Sequence, residues 1–297
     1  MLISIGGYFN TKGKIIMTTR KKKVASKSSA KTKKIASKSS AKTKKIASKS
    51  SAKTKKIATK KPTKKKVISS KRKGPVVITS TGVVKIYKST NVEVTALDGV
   101  DISITEGEMV AIMGPSGCGK TTLLNCLSGL DSVNSGSIKL QNMELESLSD
   151  DKLSEFRAKN MGFVFQSYNL LPVLTTVENV ELPLLVSGTS AKDARKKSEA
   201  KLDDVGLLEW KQHLPGELSG GQRQRATLAR ALVNEPAIVW ADEPTGNLDS
   251  TNEVEIMDLL TDLNKKNNQT FVIVTHSNYV GGRANRIIKM KDGKVVK

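Results

Sequence analysis

The sequence predicts an α/β domain over residues 76–297, carried behind a strongly basic segment, 1–75. Three observations lead there. Charge is unevenly divided: residues 1–75 hold 26 Lys and Arg and no acid, whereas the remainder holds 24 bases and 28 acids, the balance of an ordinary globular fold. A short apolar strand at 108–113 runs directly into a glycine-rich loop and then into a helical apolar pattern. Two further apolar runs, 237–241 and 271–274, end in an acid pair and in a histidine, and both read as short buried strands. No apolar run approaches the 18 or so residues that span a bilayer, so any transport function needs other subunits. Cys118 and Cys126 form neither a disulfide framework nor a four-ligand zinc site, which fits a reducing cytosol.

Residues 22–63 repeat with a period of 11: KKVASKSSAKT, KKIASKSSAKT twice, then KKIATKKPT. Each unit offers one branched apolar residue (Val24, Ile35, Ile46, Ile57), so stacking units buries almost nothing and the segment is expected to be solvated and disordered. As a coil, 1–75 has an expected root-mean-square reach of about 45 to 50 Å. Its lysines suit an anionic membrane surface or nucleic acid and do not choose between them. In composition it resembles the tails of linker-histone-like proteins, though its repeats lack aromatics to stack on bases. A solubilising extension with no specific partner is the equal alternative. Residues 1–16 lack the h-region and cleavage site of a signal peptide, and translation starting at Met17 is an expectation.

Gly114-Pro115-Ser116-Gly117-Cys118-Gly119-Lys120-Thr121 is G-x-x-x-x-G-K-[ST] between a strand and a helix marked by Leu123, Leu124, Leu127 and Leu130. Glycines let backbone N–H groups turn inward around phosphates, and the helix points its positive end at the same place. Residues Gly114 to Thr121, with Thr122, are the candidate phosphate contacts; Lys120 is expected to reach the β- and γ-phosphates and the Thr121 hydroxyl to ligate Mg²⁺. At Cys118 only the backbone needs to face phosphate, so the thiol is read as packing.

The strand Ala237-Ile238-Val239-Trp240-Ala241 delivers Asp242 to hold Mg²⁺ through water and Glu243 to polarise an attacking water. Upstream, Leu218-Ser219-Gly220-Gly221-Gln222 opens an Arg- and Ala-rich helix, a second glycine-rich helix N-terminus. One nucleotide has no use for two such ends from one chain, and a dimer resolves this.

With GPSGCGKT, Gln166 after Phe163-Val164-Phe165, LSGGQ, the DE pair, Gly246-Asn247-Leu248-Asp249 and Thr275-His276 in this order, residues 76–297 resemble the ATP-binding subunit of ABC transporters. The resemblance implies a P-loop NTPase core with an antiparallel β subdomain and a helical subdomain, and a head-to-tail homodimer or paired ATPase subunit closing on ATP and Mg²⁺. By the same resemblance Ser219, Gly220, Gly221 and Gln222 approach the γ-phosphate across the dimer. Gln166 senses Mg²⁺ and the water, His276 contacts the γ-phosphate, Asp249 links the two sites and Tyr87 stacks on adenine. A tyrosine simply packed on its strand is the other reading of Tyr87, and His213 receives no role.

Asn169-Leu170-Leu171-Pro172, Thr176-Val177-Glu178-Asn179-Val180 and the long stretch from Gly216 through Asn247 are similar to the macrolide-export and lipoprotein-release ATPases. Such subunits serve separate transmembrane permease subunits and sit on the cytoplasmic face of the membrane. Ser277 departs from the Asp common after the histidine. A helical insertion is expected over about 168–216, with Leu170 to Leu174 as core or as docking surface for the permease. Locally, Thr175 with Glu178 and Ser250 with Glu253 have capping-box spacing, Gly206 follows a helix, Asp292-Gly293 marks a hairpin, and Pro183 is expected to end or kink a helix. The alternative function is a soluble ABC ATPase acting on nucleic acid or ribosomes through the basic segment.

Overall fold

Two units divide the chain between Thr63 and Lys64. In the computed structural model the first is described only at strands Tyr8–Phe9 (β1) and Ile15–Ile16 (β2), which pair antiparallel with Tyr8 opposite Ile16. The 11-residue repeat, and with it the reading of a solvated coil, lies outside the described residues, which in the second unit run over 74–89 and 92–296.

The second unit opens on two long strands, Val76–Ser89 (β3) and Val92–Thr105 (β4), antiparallel to each other and bulged near Val83 and Lys85. Next come Met109–Met113 (β5), helix Lys120–Leu127 (α1) and strands Ser135–Leu140 (β6) and Met143–Glu144 (β7). Strands β4, β3, β6 and β7, in that order, form the expected antiparallel layer. Helix Asp150–Asn160 (α2) leads to Met161–Phe165 (β8), and helices Thr176–Val186 (α3), Ala191–Asp204 (α4) and Gly220–Leu232 (α5) follow. Ile238–Asp242 (β9), Ser250–Asn267 (α6), Thr270–Val274 (β10), Asn278–Arg283 (α7), Arg286–Lys291 (β11) and Lys294–Val296 (β12) complete the domain. A six-stranded sheet takes the order β12-β11-β5-β10-β9-β8, parallel except for the β11–β12 hairpin.

Apolar side chains fill both faces of that sheet, as parallel strands covered on each side require. Alternation along β10 sends Val272 and Val274 to one core, with Leu97, Leu123, Leu127 and Trp240, under the antiparallel layer. Phe271 and Ile273 point the other way, to a core shared with Val177, Val180, Leu202, Ala226 and Leu260 of the helices. Each large side chain buried in this way contributes roughly 1.5–3 kcal/mol. Among the described residues no helix is long and apolar enough to cross a membrane.

Local chemistry agrees with the sequence at several ends. Thr175 and Glu178 form a reciprocal capping box on α3. Gly206 follows α4 with φ 66°, and Asp292 and Gly293 turn the last hairpin with φ 49° and 75°, the paired positive values of a type I′ turn. Three expectations are corrected. Helix α6 is capped by Asp249, whose carboxylate accepts from the N–H groups of Thr251 and Asn252, and Ser250 is already helical. Pro183 does not end the helix but lies inside α3, which runs on to Val186, because Val177, Val180 and Leu184 of that helix are buried and offset the roughly 3 kcal/mol an internal proline costs. Leu130 falls outside α1 and is exposed.

Candidate active site

Ile112, Val274, Asp242 and Phe165 stand side by side in register on β5, β10, β9 and β8. The chain leaves the sheet just beyond this row, so Gly114, Thr275, Glu243 and Gln166 all emerge at the same edge. A crevice at the carboxyl ends of parallel strands is where such sheets carry their ligands.

The glycine-rich loop connects β5 to α1. Gly119 caps α1 with φ 96°, and a Cβ there would come within 2.4 Å of the Ala96 carbonyl oxygen, so both conformation and space demand glycine. The loop is braced from behind, with Gly293 N–H donating to the Cys118 carbonyl at 3.1 Å. Cys118 itself is buried in the core beneath the loop. Lys120 Nζ donates to the carbonyls of Gly114 and Pro115, at 2.9 Å each, which holds the ammonium at the loop's mouth. One residue further on, Thr121 Oγ1 donates to Asp242 Oδ1 at 3.3 Å. Burial raises the Asp242 pKa above the ordinary carboxylate value, with the neighbouring Glu243 charge adding to it and the Thr121 hydrogen bond and Lys120 opposing.

Glu243 is forced into the left-handed region, φ 47°, a conformation that costs a non-glycine residue of order 1–3 kcal/mol and tends to mark functional sites. The turn brings its carboxylate back over β10. His276 Nδ1 lies 2.8 Å from Glu243 Oε1, and the Thr275 hydroxyl donates to Oε2 at 3.3 Å. The imidazole is largely exposed, its side chain 74% accessible against 18% for Glu243, so the histidine fronts solvent with the acid behind it.

A cavity of about 620 Å³ is lined by Ser116, Gly119, Lys120, Thr121, Thr122 and Glu243 and also by Tyr87. Tyr87 is half exposed there. A larger cavity, about 690 Å³, opens at the other end of the strands among Glu106, Pro236, Asn268 and Gln269 and brings no phosphate-binding loop.

The remaining sequence-predicted residues stand apart from this cavity. Gln166 Nε2 donates to Asn247 Oδ1 at 3.4 Å, and Asn247 Nδ2 donates to the Gln166 carbonyl at 2.9 Å. Ser219 and Gln222 form a reciprocal capping box on α5: the Ser219 hydroxyl accepts from Gln222 N–H at 3.2 Å and Gln222 Oε1 accepts from Ser219 N–H at 2.8 Å. Between them, Gly221 is pressed by Asn252, whose Oδ1 lies 2.0 Å from where a Cβ would be. Asn252 also donates to Asp249 at 2.6 Å, so Asp249 and the α5 turn share one support. In the sequence Asn247 and Thr275 stand only as members of motifs, with no role of their own, and Asn252 is not singled out. Their polar side chains near glycines and strand ends were the available signal, and it is one that ordinary turns share.

A glycine-rich loop after one strand of a parallel sheet, with an acid pair ending the next strand but one in the same row, defines a P-loop nucleotide hydrolase. The chain belongs to the ABC transporter family, whose model matches residues 97–246. It is 46% identical over 220 residues to the lipoprotein-releasing system ATP-binding protein LolD of Pseudoalteromonas translucida, a match covering 74% of this chain and 95% of that protein. It is 44% identical over 220 residues to the macrolide export ATP-binding/permease protein MacB of Chlorobaculum tepidum, covering 34% of that longer protein. Among solved structures, the dimeric post-hydrolysis state of the ATP-binding cassette MJ0796 bound to ADP and Pi matches with a TM-score of 0.69 at 43% identity, over 74% of this chain and 97% of that one. The protein is therefore an ATP-binding ABC ATPase with the cassette fold.

Proposed function

We propose that two copies of this chain, or this chain and a paired ATPase subunit, close head to tail on ATP and Mg²⁺ and thereby drive separate transmembrane permease subunits from the cytoplasmic face of the membrane. The observation that carries this is the presence of two glycine-rich helix N-termini on one chain, of which only that of α1 lines the cavity. The end of α5 serves a nucleotide only if that nucleotide belongs to another subunit.

Within one subunit the loop from Gly114 to Thr122 receives the phosphates through its backbone N–H groups, Pro115 having none, and Lys120 exchanges two carbonyl oxygens for β- and γ-phosphate oxygens. Thr121 and Asp242 put two hard oxygen donors side by side, which fits an ion that takes one or two protein ligands and completes its shell with phosphate and water. Mg²⁺ bound there supplies positive charge to the phosphates during transfer. Glu243 accepts a hydrogen bond from the attacking water as its oxygen bonds to the γ-phosphorus and ADP departs. His276 holds the γ-phosphate on the solvent side and shares Glu243 with Thr275. Gln166 senses metal and water from β8, Tyr87 stacks on the base, Ser219 to Gln222 complete the partner's site, and Asp249 joins the two. The homology to the lipoprotein-releasing and macrolide-export proteins supports an export or lipoprotein-release role.

Light scattering of the Glu243→Gln chain with ATP and Mg²⁺ tests this. A stable dimer is expected, and affinity capture of it from membranes is expected to bring a multi-helix membrane protein. A chain that stays monomeric at saturating ATP overturns the head-to-tail reading.

A further inference from the structure

Lys85 is 8% exposed on β3, and a lysine so buried needs a counter-charge. It has one: Nζ donates to Asp131 Oδ1 and to the Ser132 carbonyl, each at 2.6 Å. The second oxygen of the same carboxylate, Oδ2, accepts from the Tyr87 hydroxyl at 2.7 Å. Asp131 thus uses both oxygens, one on a buried ammonium and one on the half-exposed ring at the edge of the nucleotide cavity. Lys85 Nζ also lies over the Tyr87 ring, 5.0 Å from its centroid, close enough for a cation–π attraction. The ring is therefore held at its hydroxyl and on one face while it stays part-exposed and lines the cavity, as a base platform requires.

Asp131 is placed by the phosphate loop's own helix. Just past the end of α1, the N–H groups of Leu130 and Asp131 both donate to the Asn125 carbonyl, at 2.8 and 3.1 Å. The helix begins at Lys120. Its eight residues span about 12 Å, so one end of one rigid element receives the phosphates while the other fixes the carboxylate that aims Tyr87.

We propose that Asp131 is a positioning residue for the nucleotide base, acting through the Tyr87 hydroxyl, and that α1 sets the spacing between base platform and phosphate loop. This rests on the reading of Tyr87 as the base platform. It gives Asp131 a function beyond that of counter-ion to Lys85, and it makes Tyr87→Phe a defective variant although the ring is retained.

The experiment uses the full chain and two probes, ATP and inorganic triphosphate, each with Mg²⁺; triphosphate carries the phosphates without the base. Asp131→Asn and Tyr87→Phe are each expected to raise KM for ATP about five-fold, the size of one hydrogen bond's net contribution. kcat and inhibition by triphosphate stay unchanged, and the double variant is no worse than either single one. Tyr87→Phe keeps the Lys85–Asp131 pair intact, so it tests the idea even if Asp131→Asn fails to fold. Equal weakening of triphosphate and ATP, or additive effects in the double variant, would show that Asp131 acts only on the fold. Tyr87→Ala separates the two readings. If it raises KM while Tyr87→Phe and Asp131→Asn do not, the role of Asp131 falls alone. If Tyr87→Ala leaves KM unchanged, the base platform falls and the inference with it.

Discussion

Helices α1 and α5 both begin at a glycine-rich turn, yet they dispose of their first N–H groups in opposite ways. The cap of α1 is Gly119, which offers no side chain, whereas α5 is closed by the reciprocal hydrogen bonds of Ser219 and Gln222. Helix N-terminal donors are satisfied by caps, water or an anion. The first end is open for phosphate in a single chain. The second is self-sufficient, and any phosphate reaching it has to displace contacts worth about 1 kcal/mol. On the proposed head-to-tail reading this difference orders events: nucleotide would settle on the phosphate loop of one subunit first, and the α5 end of a second would engage afterwards.

The sharpest way to break the comparison is at the open end. Lys120→Ala is expected to lower kcat/KM by roughly a thousandfold, the scale of removing a charged group from a transition state, and to abolish ATP binding in equilibrium dialysis. Glu243→Gln should lower turnover by about a hundredfold or more while ATP still binds with near-normal affinity; a variant that turns over normally removes Glu243 from the water-positioning role. At the closed end, Ser219→Ala is expected to leave ATP affinity of the isolated chain unchanged and to cut dimer turnover about ten-fold, an effect of the size of one transition-state contact. Its thermal midpoint should also fall by a few degrees, as loss of about 1 kcal/mol of cap predicts. The smallest effect belongs to Thr175→Ala, which opens the same kind of capping box on α3. It should cost about 1 kcal/mol of stability in denaturant titration and nothing in turnover. If Thr175→Ala and Ser219→Ala behave alike, the α5 cap is only a cap.

Most of the core, and the strand ends and loop that carry the candidate site, could be read from the sequence, because both rest on local patterns. An apolar run before GPSGCGKT fixes strand, loop and helix in order, and the runs ending at Asp242 and at Val274 fall into the same sheet row. What escaped was decided by tertiary contacts. Ser250 and Asp249 can both start a helix, and the choice went to Asp249, while Glu253 turned instead to the hydroxyls of Thr245 and Ser277. Ser277, the departure from the common Asp, caps α7 and donates to that glutamate, where a second carboxylate would meet the first. The bond between Tyr87 and Asp131 joins residues 44 apart in sequence, and no periodicity announces such a pair.

The row formed by Ile112, Val274, Asp242 and Phe165 also says where this chain can tolerate changes in length. One residue inserted within β9 would carry Asp242 about 3.3 Å past its neighbours and turn its carboxylate to the opposite face, parting it from Thr121. The same insertion at Gly188, between α3 and α4, where a Cβ would meet nothing within 4 Å, leaves the row untouched. Insertions and deletions in descendants of this sequence are thus expected to collect in the connections among the helices, with the four strands of the row keeping their count.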